Sequence, residues 1–428
     1  MNTSKRTVSA LLALSLAAFL PACGGDDGED VPEAQHVTVK SALARLAAGA
    51  PDSAEVKAVT RAQREFNAEL FNKLSDEFAG KNAAISALSI HEALGMTYAG
   101  AKGETASQMA QALRFGDNTH AGLNSLSQEL QKRDAGKTTL KISNAFWSRI
   151  DKTWNDSYLD TLAQYYGAGV ETLDFAGAPE DSRQFINSWV AQQTNDRIKD
   201  LLPPNSISAD TAAVLTNAVY FKAPWKKPFE TSDTHAADFH LTKSGTVSVP
   251  FVYDGNASVL YAEGEGWQAA QKDFEGNMAM LFILPAAGTF ENFSKAMDAD
   301  KFDSIVGALE YDSVQLSLPK FKFTTSASLG EPLQAMGMTL PFDMTNADFT
   351  GMTAEKPLWI SKILHKTFVA LDEKEVEAAA ATGVIGEDGA VAPAEKSFIA
   401  DRPFLFAIRD IPTGAVLFYG QLMNPSEE

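Results

Sequence analysis

The chain has 428 residues, 45% of them hydrophobic and 21% charged, with a formal net charge of -19. Such a chain can bury a large core, and its surplus of carboxylates argues against nucleic acid or an anionic membrane surface as partner, because both require a basic patch. A single cysteine, Cys23, excludes an internal disulfide.

Met1 to Ala22 opens with Lys5 and Arg6, continues as the apolar run VSALLALSLAAFL and ends at Pro21-Ala22-Cys23. This is the pattern of a secretory signal, and the apolar run is too short to span a bilayer comfortably. LPAC resembles the lipobox of bacterial lipoproteins, where cleavage before the cysteine leaves it to be acylated; plain secretion is the alternative. The resemblance implies a lipoprotein signal peptide over 1–22 and a lipid anchor at Cys23, whose methylenes bury at ~0.8 kcal/mol each. The protein is then exported and held at a periplasm-facing membrane or the cell surface. Residues 23–57, which begin CGGDDGEDVPEAQ, offer little to bury and read as a flexible acidic tether.

The folded domain is expected over 58–428. RAQREFNAELFNKLSDEF sets Phe66, Leu70, Leu74 and Phe78 four apart, the stripe of an amphipathic helix. NSWVAQQTNDRIKDLLPP reads as a second helix ending at Pro203-Pro204. AAVLTNAVYF (212–221), MAMLFILP (278–285) and FLFAI (404–408) are short apolar runs that read as buried strands. In VQLSLPKFKF the alternation of Val314, Leu316 and Leu318 fits a strand buried on one face. Helices come mostly first and strands mostly later, an α+β arrangement with a large mixed sheet.

Nothing in the sequence builds a catalytic or metal centre. The six histidines form no H-E-x-x-H pair, and no G-x-S-x-G elbow, P-loop or G-x-G-x-x-G fingerprint appears. Neither an enzyme nor a cofactor is expected.

Nine stretches occurring in order resemble the serpins, the serine protease inhibitors. They are ISALSIHEALGMTYAGAKGETASQM (85–109), VETLDFAG (170–177), INSWVAQQTNDRIKDLLP (186–203), TNAVYFKAPWKKPF (216–229), GNMAMLFILP (276–285), LSLPKFKF (316–323), ADFTGM (347–352), ISKILHKTFVALDEKEVEAAAA (360–381) and DRPFLFAIRDIPTGAVLFYGQLMNP (401–425). The resemblance implies a serpin fold of about nine helices and three β-sheets with an exposed reactive centre loop near the C-terminus, here about 373–400. It implies a suicide substrate: a protease cuts the loop and becomes esterified to it, and the segment before the cut inserts as a new strand in the main sheet. The implied partner is a target serine protease, or a cysteine protease, held covalently by a monomer. A non-inhibitory serpin, acting as a binding or carrier module, is the alternative.

The family's hinge falls on Glu373, Glu375, Val376, Glu377, Ala378, Ala379, Ala380 and Ala381. A strand needs alternate residues in and out, and the family's inward set maps to Val376, Ala378, Ala380, Thr382 and Val384. All are small or β-branched, while Glu375 and Glu377 fall outward. About 15 residues gaining ladder bonds amount to something on the order of 10 to 20 kcal/mol before ordering costs. Taken alone, DEKEVEAAAA reads as a helix, since alanine is the best helix former. Glu375 stands where inhibitory serpins usually carry glycine, which eases the hinge's change of backbone angles.

Ser86, Ser89, Asn217 and His365 match the family's shutter beneath the opening of the sheet, and Trp225 matches the tryptophan of the breach, where insertion starts. Asn217 lies alone inside AVLTNAVYF, where a buried amide requires a partner. Spacing from Glu373 and from Pro403 brackets the reactive bond at Gly389, Ala390 or Val391; Ala392 is disfavoured by Pro393. These small, uncharged residues point to an elastase-like or subtilisin-like protease.

Overall fold

The computed structural model describes residues 35–242, 245–355, 357–376 and 394–427. The first described element is strand β1 (His36–Val39); the chain then runs without regular structure to Ala50 and enters helix α1 (Ala54–Lys73), where the Ser53 hydroxyl accepts the Val56 N–H. Strand β2 (Ala83–Ile85) precedes α2 (Ala87–Tyr98), α3 (Gly103–Leu113) and α4 (Thr119–Gln131). Next come β3 (Thr139–Arg149), α5 (Asp156–Thr161), a π turn at Leu162–Tyr166, β4 (Val170–Leu173) and α6 (Pro179–Gln193). Strands β5 (Ala213–Pro224), β6 (His235–His240), β7 (Thr246–Gly264), β8 (Trp267–Asp273) and β9 (Met278–Pro285) follow. Helices α7 (Phe290–Lys295) and α8 (Ala299–Gly307), strands β10 (Glu310–Pro319) and β11 (Phe321–Ser328), and α9 (Gly330–Ala335) come after them. The remaining strands are β12 (Lys362–Leu371), β13 (Glu375–Val376), β14 (Lys396–Ile399), β15 (Phe404–Asp410) and β16 (Val416–Leu422).

The main sheet runs β1-β4-β3-β5-β12-β11, with β13 added on β5. The other runs β14-β10-β7-β8-β9-β15-β16-β2, with β6 on β7. The third sheet of the expected fold is continuous with the second: one end of the 19-residue β7 pairs with β6, the other with β8, and β10 lies along its length. Nine α-helices among the described residues fit the α+β serpin expectation. Between the sheets lies an apolar core that takes Val219, Phe221 and Ala223 from β5 and Phe404, Phe406 and Ile408 from β15.

The structure departs from the sequence reading in three places. Regular structure is already present at β1, ahead of residue 58, because hydrogen bonds hold this segment where no apolar stripe announces it. Helix α6 stops at Gln193, ten residues before the prolines, where Asn195, Asp196 and Asp200 take positive φ of 49°, 61° and 53°. VQLSLPKFKF divides at Lys320 into β10 and β11, which belong to different sheets; Val314, Leu316 and Leu318 are nevertheless fully buried as the alternation requires.

Candidate functional site

In the middle of the main sheet β5 and β12 lie parallel, in register from Val214 opposite Lys362 to Val219 opposite Thr367. Parallel neighbours of this kind ordinarily stay paired along their shared length. Here the ladder stops, although β5 continues to Pro224 and β12 to Leu371. Continued, the register would set Leu371 opposite Ala223. Ala223 is opposite Val376 instead, and Pro224 opposite Glu375, both antiparallel. The chain has turned at Asp372–Lys374 and begun to return along β5. Glu375 and Val376 are therefore strand, not the helix that their alanine-rich surroundings favour.

The turn is held from below. Trp225 is buried, stacked on Phe274 at 4.2 Å between ring centroids, and its indole Nε1 donates to Asp372 O at 3.0 Å. The Trp225 N–H donates to Lys374 O at 2.9 Å and the Phe229 N–H to Glu373 O at 2.8 Å. The Glu373 carboxylate accepts from Lys320 Nζ and from the Thr234 hydroxyl. Desolvation raises its pKa, but Lys320, Thr234 and a backbone N–H outweigh it and leave the group below its ordinary value. Lys272 lies buried beside these rings, 4.4 Å from the Phe229 centroid, and desolvation pushes its ammonium down to about 8.

One rung of the sheet carries three polar side chains in a row, Asn144 on β3, Asn217 on β5 and His365 on β12. Ser86, Ser89, Asn217 and His365 are at most 1% exposed. The Ser86 N–H donates to His365 Nε2 at 2.9 Å, which makes Nε2 the acceptor and puts the ring proton on Nδ1, facing Asn217 Oδ1 at 3.1 Å. Burial pushes the imidazole down to about 3, so it is neutral. The Ser86 hydroxyl accepts the Ser89 N–H, the Ser89 hydroxyl donates to Asn144 Oδ1 at 2.6 Å, and Asn144 Nδ2 donates to Glu92 Oε2 at 2.9 Å. The start of α2 thus grips β12 through Ser86 and β3 through Ser89 and Glu92, with β5 between them. The Asn217 amide is only half satisfied: its Nδ2 finds no acceptor among the described residues.

The structure therefore brings Ser86, Ser89, Asn217 and His365 together and seats Trp225 beneath the turn at Asp372–Lys374. Glu377, Ala378, Ala379, Ala380, Ala381, Gly389, Ala390, Val391 and Cys23 lie outside the described residues. The sequence reading passed over Asn144, Glu92 and Lys320. Asn144 carries the signal that marked Asn217, a lone amide inside the strand KISNAFWSR, and Glu92 is a lone acid inside the apolar helix ALSIHEALGMTY. Among the described residues no cluster of His, Cys, Asp and Glu has the arrangement of a metal site, and no helix is long and apolar enough to cross a membrane.

Residues 61–425 match the family model described as serpin (serine protease inhibitor). The chain is 34% identical over 377 residues to the leukocyte elastase inhibitor of Bos taurus, covering 86% of this chain and 99% of the relative. It is 35% identical over 377 residues to a serpin-like protein of Thermococcus kodakarensis, with 87% of each covered. Among solved structures, the thermophilic serpin tengpin in its native state superposes with a TM-score of 0.81 at 29% identity, over 91% of this chain and 100% of tengpin.

Proposed function

The chain belongs to the serpin family, and we propose that it inhibits serine endopeptidases by trapping them as a suicide substrate. The observation that carries this reading is the interrupted ladder between β5 and β12, with Glu375 and Val376 already paired on β5. An edge offered in this way is a site for one more strand. Continuing the antiparallel register of those two residues sets Ala378 opposite Phe221, Ala380 opposite Val219, Thr382 opposite Asn217 and Val384 opposite Leu215. Leu215, Val219, Phe221 and Ala223 all belong to the clusters beneath the sheet, so these loop residues would enter facing the core. Glu377 would stand on the other face, opposite Lys222. Thr382 would bring a hydroxyl to the rung where Asn217 Nδ2 lacks an acceptor.

Leukocyte elastase inhibitors among the relatives and the uncharged candidates Gly389, Ala390 and Val391 favour an elastase-like or subtilisin-like target. The lipobox-like LPAC supports export as a lipoprotein anchored through Cys23, at a periplasm-facing membrane or the cell surface. Incubation with pancreatic elastase and with subtilisin, followed by a denaturing gel, tests the trap. A denaturant-stable adduct at the summed mass is expected. Loop cleavage without adduct would assign the chain to the non-inhibitory binding or carrier class.

A further inference from the structure

The main sheet meets the second one just beyond β5. Trp225 forms a bridge with Phe274, the Lys226 N–H donates to Asp273 O and the Glu275 N–H to Pro224 O, both at 3.0 Å. The turn at Asp372–Lys374 rests on this junction, and two residues take all three of its carbonyl oxygens. The Trp225 indole donates to Asp372 O, the Trp225 N–H to Lys374 O and the Phe229 N–H to Glu373 O. Whatever loosens Trp225 and Phe229 therefore loosens the base of the loop.

Lys272 is the charge placed beside their rings. It stands on β8 opposite Met280 of β9 and is 5% exposed. Its ammonium lies 4.4 Å from the Phe229 ring centroid and 5.9 Å from that of Trp225. Among the described residues it makes no hydrogen bond and no ion pair. The charged groups facing it are Asp254 of β7, Lys227 beyond β5 and Asp273 of its own strand. Asp254 receives Lys227 Nζ at 3.4 Å and Asp273 accepts from the Gln271 amide, so both carboxylates are engaged elsewhere. Ring faces give a desolvated cation about 2 kcal/mol, whereas an unpaired buried ammonium gives up several kcal/mol of hydration. The second effect wins, and burial is accordingly the first cause holding this ammonium down at about 8.

We propose that Lys272 is a positioning residue of the loop's base: its buried, unbonded ammonium gains water when the rings of Trp225 and Phe229 move apart, and this keeps the three bonds to the turn ready to release. The proposal rests on reading the turn as the place where insertion begins, but its test needs no protease. Hydrogen exchange of the Trp225 and Phe229 amides, corrected for the pH dependence of free amides, is compared in the full chain and in Lys272→Met, which keeps an unbranched apolar stem and removes the charge. Opening returns the ammonium towards its ordinary 10.5, so opening becomes easier as pH falls from 10.5 to 8 and changes little below that. Protection of these two amides in the parent should rise about ten-fold from pH 7 to pH 9. Lys272→Met should be at least about ten-fold better protected at pH 7 and level across the interval. Protection unchanged or reduced in Lys272→Met would show that the ammonium does not loosen the base, and overturns the proposal. Should Lys272→Met fail to fold, the parent's own profile decides: the ten-fold rise supports the proposal and a flat profile overturns it. An absence of elastase adduct with this pattern intact would count against the trapping function alone.

Discussion

The carboxylate of Glu373 receives the Lys320 ammonium on both oxygens, at 2.9 and 2.8 Å, joining the first residue of the loop's base to the one residue between β10 and β11. The pair is fixed beside the Thr234 hydroxyl, with the lysine one-third exposed and the glutamate 11% exposed at its side chain. Lys320→Met should therefore cost about 1 to 2 kcal/mol, near the lower part of the range for charge-assisted bonds that water reaches. The freed base should also let the loop of one molecule enter the sheet of another. Thermal unfolding and light scattering on warming check this. An unchanged midpoint with no oligomers would show that the pair does not hold the loop.

The register of Val376 on Ala223 makes a sharp distinction between neighbouring loop residues. Ala380→Arg would carry a cation to the core face opposite Val219, whereas Ala379→Arg would carry it to the opposite face beside Tyr220. Burying an unpaired charge costs several kcal/mol. Ala380→Arg should turn inhibitor into substrate, with adduct yield falling at least about ten-fold, and Ala379→Arg should keep most of it. Equal yields from the two variants would mean that the register is wrong.

His91 is 1% exposed, packed between Phe66 at 4.6 Å and Phe115 at 5.1 Å, and neither ring nitrogen has a partner among the described residues. An apolar residue of similar size relieves such a burial, so His91→Leu should stabilise the protein by roughly 1 to 3 kcal/mol. Urea unfolding at neutral pH measures it. A loss of stability would show that the imidazole is bonded in solution.

Acid should act on the buried cluster around His365. Burial pushes His365 from its ordinary 6.5 to about 3, and His91 likewise. The unfolded chain then binds protons that the folded chain refuses, so the stability contributed by each ring is complete above 6.5 and is lost as pH falls towards 3. Glu92 runs the other way: raised from 4.5 to about 7, it stabilises the fold at low pH and loses that contribution as pH rises through this interval. His365→Gln, which keeps an acceptor for the Ser86 N–H, should lose stability less steeply than the parent between pH 6 and 4, by roughly 1.4 kcal/mol per pH unit. Parallel curves for the two proteins would exclude His365 as the titrating group.

Much of this was legible in the sequence, for reasons that particular residues make plain. Val314, Leu316 and Leu318 alternate because one face of their strand is buried, and MAMLFILP is apolar throughout because both faces of β9 are. Asn217 stood out because a lone amide in such a run demands a partner. The segment 36–50 was not legible: HVTVKSALARLAAGA is rich in apolar residues, yet Val37, Leu43 and Leu46 stay exposed, and its place is set by bonds to Asn124, Gln164 and Glu171, all far away in sequence. The end of α6 is not marked by the prolines: Asn195 and Asp196 stop the helix by backbone conformation, and Pro203 and Pro204 lie beyond a further irregular turn.

The central claim is that the folded chain holds an unfilled strand position in its main sheet. Calorimetry of the intact protein and of protein nicked once within 386–393 tests it most directly. The nicked form should melt higher by several degrees or more, each kcal/mol of net gain being worth about 1 °C in a chain of this size. Identical melting of the two forms would mean that no strand has entered and that the sheet was complete from the start.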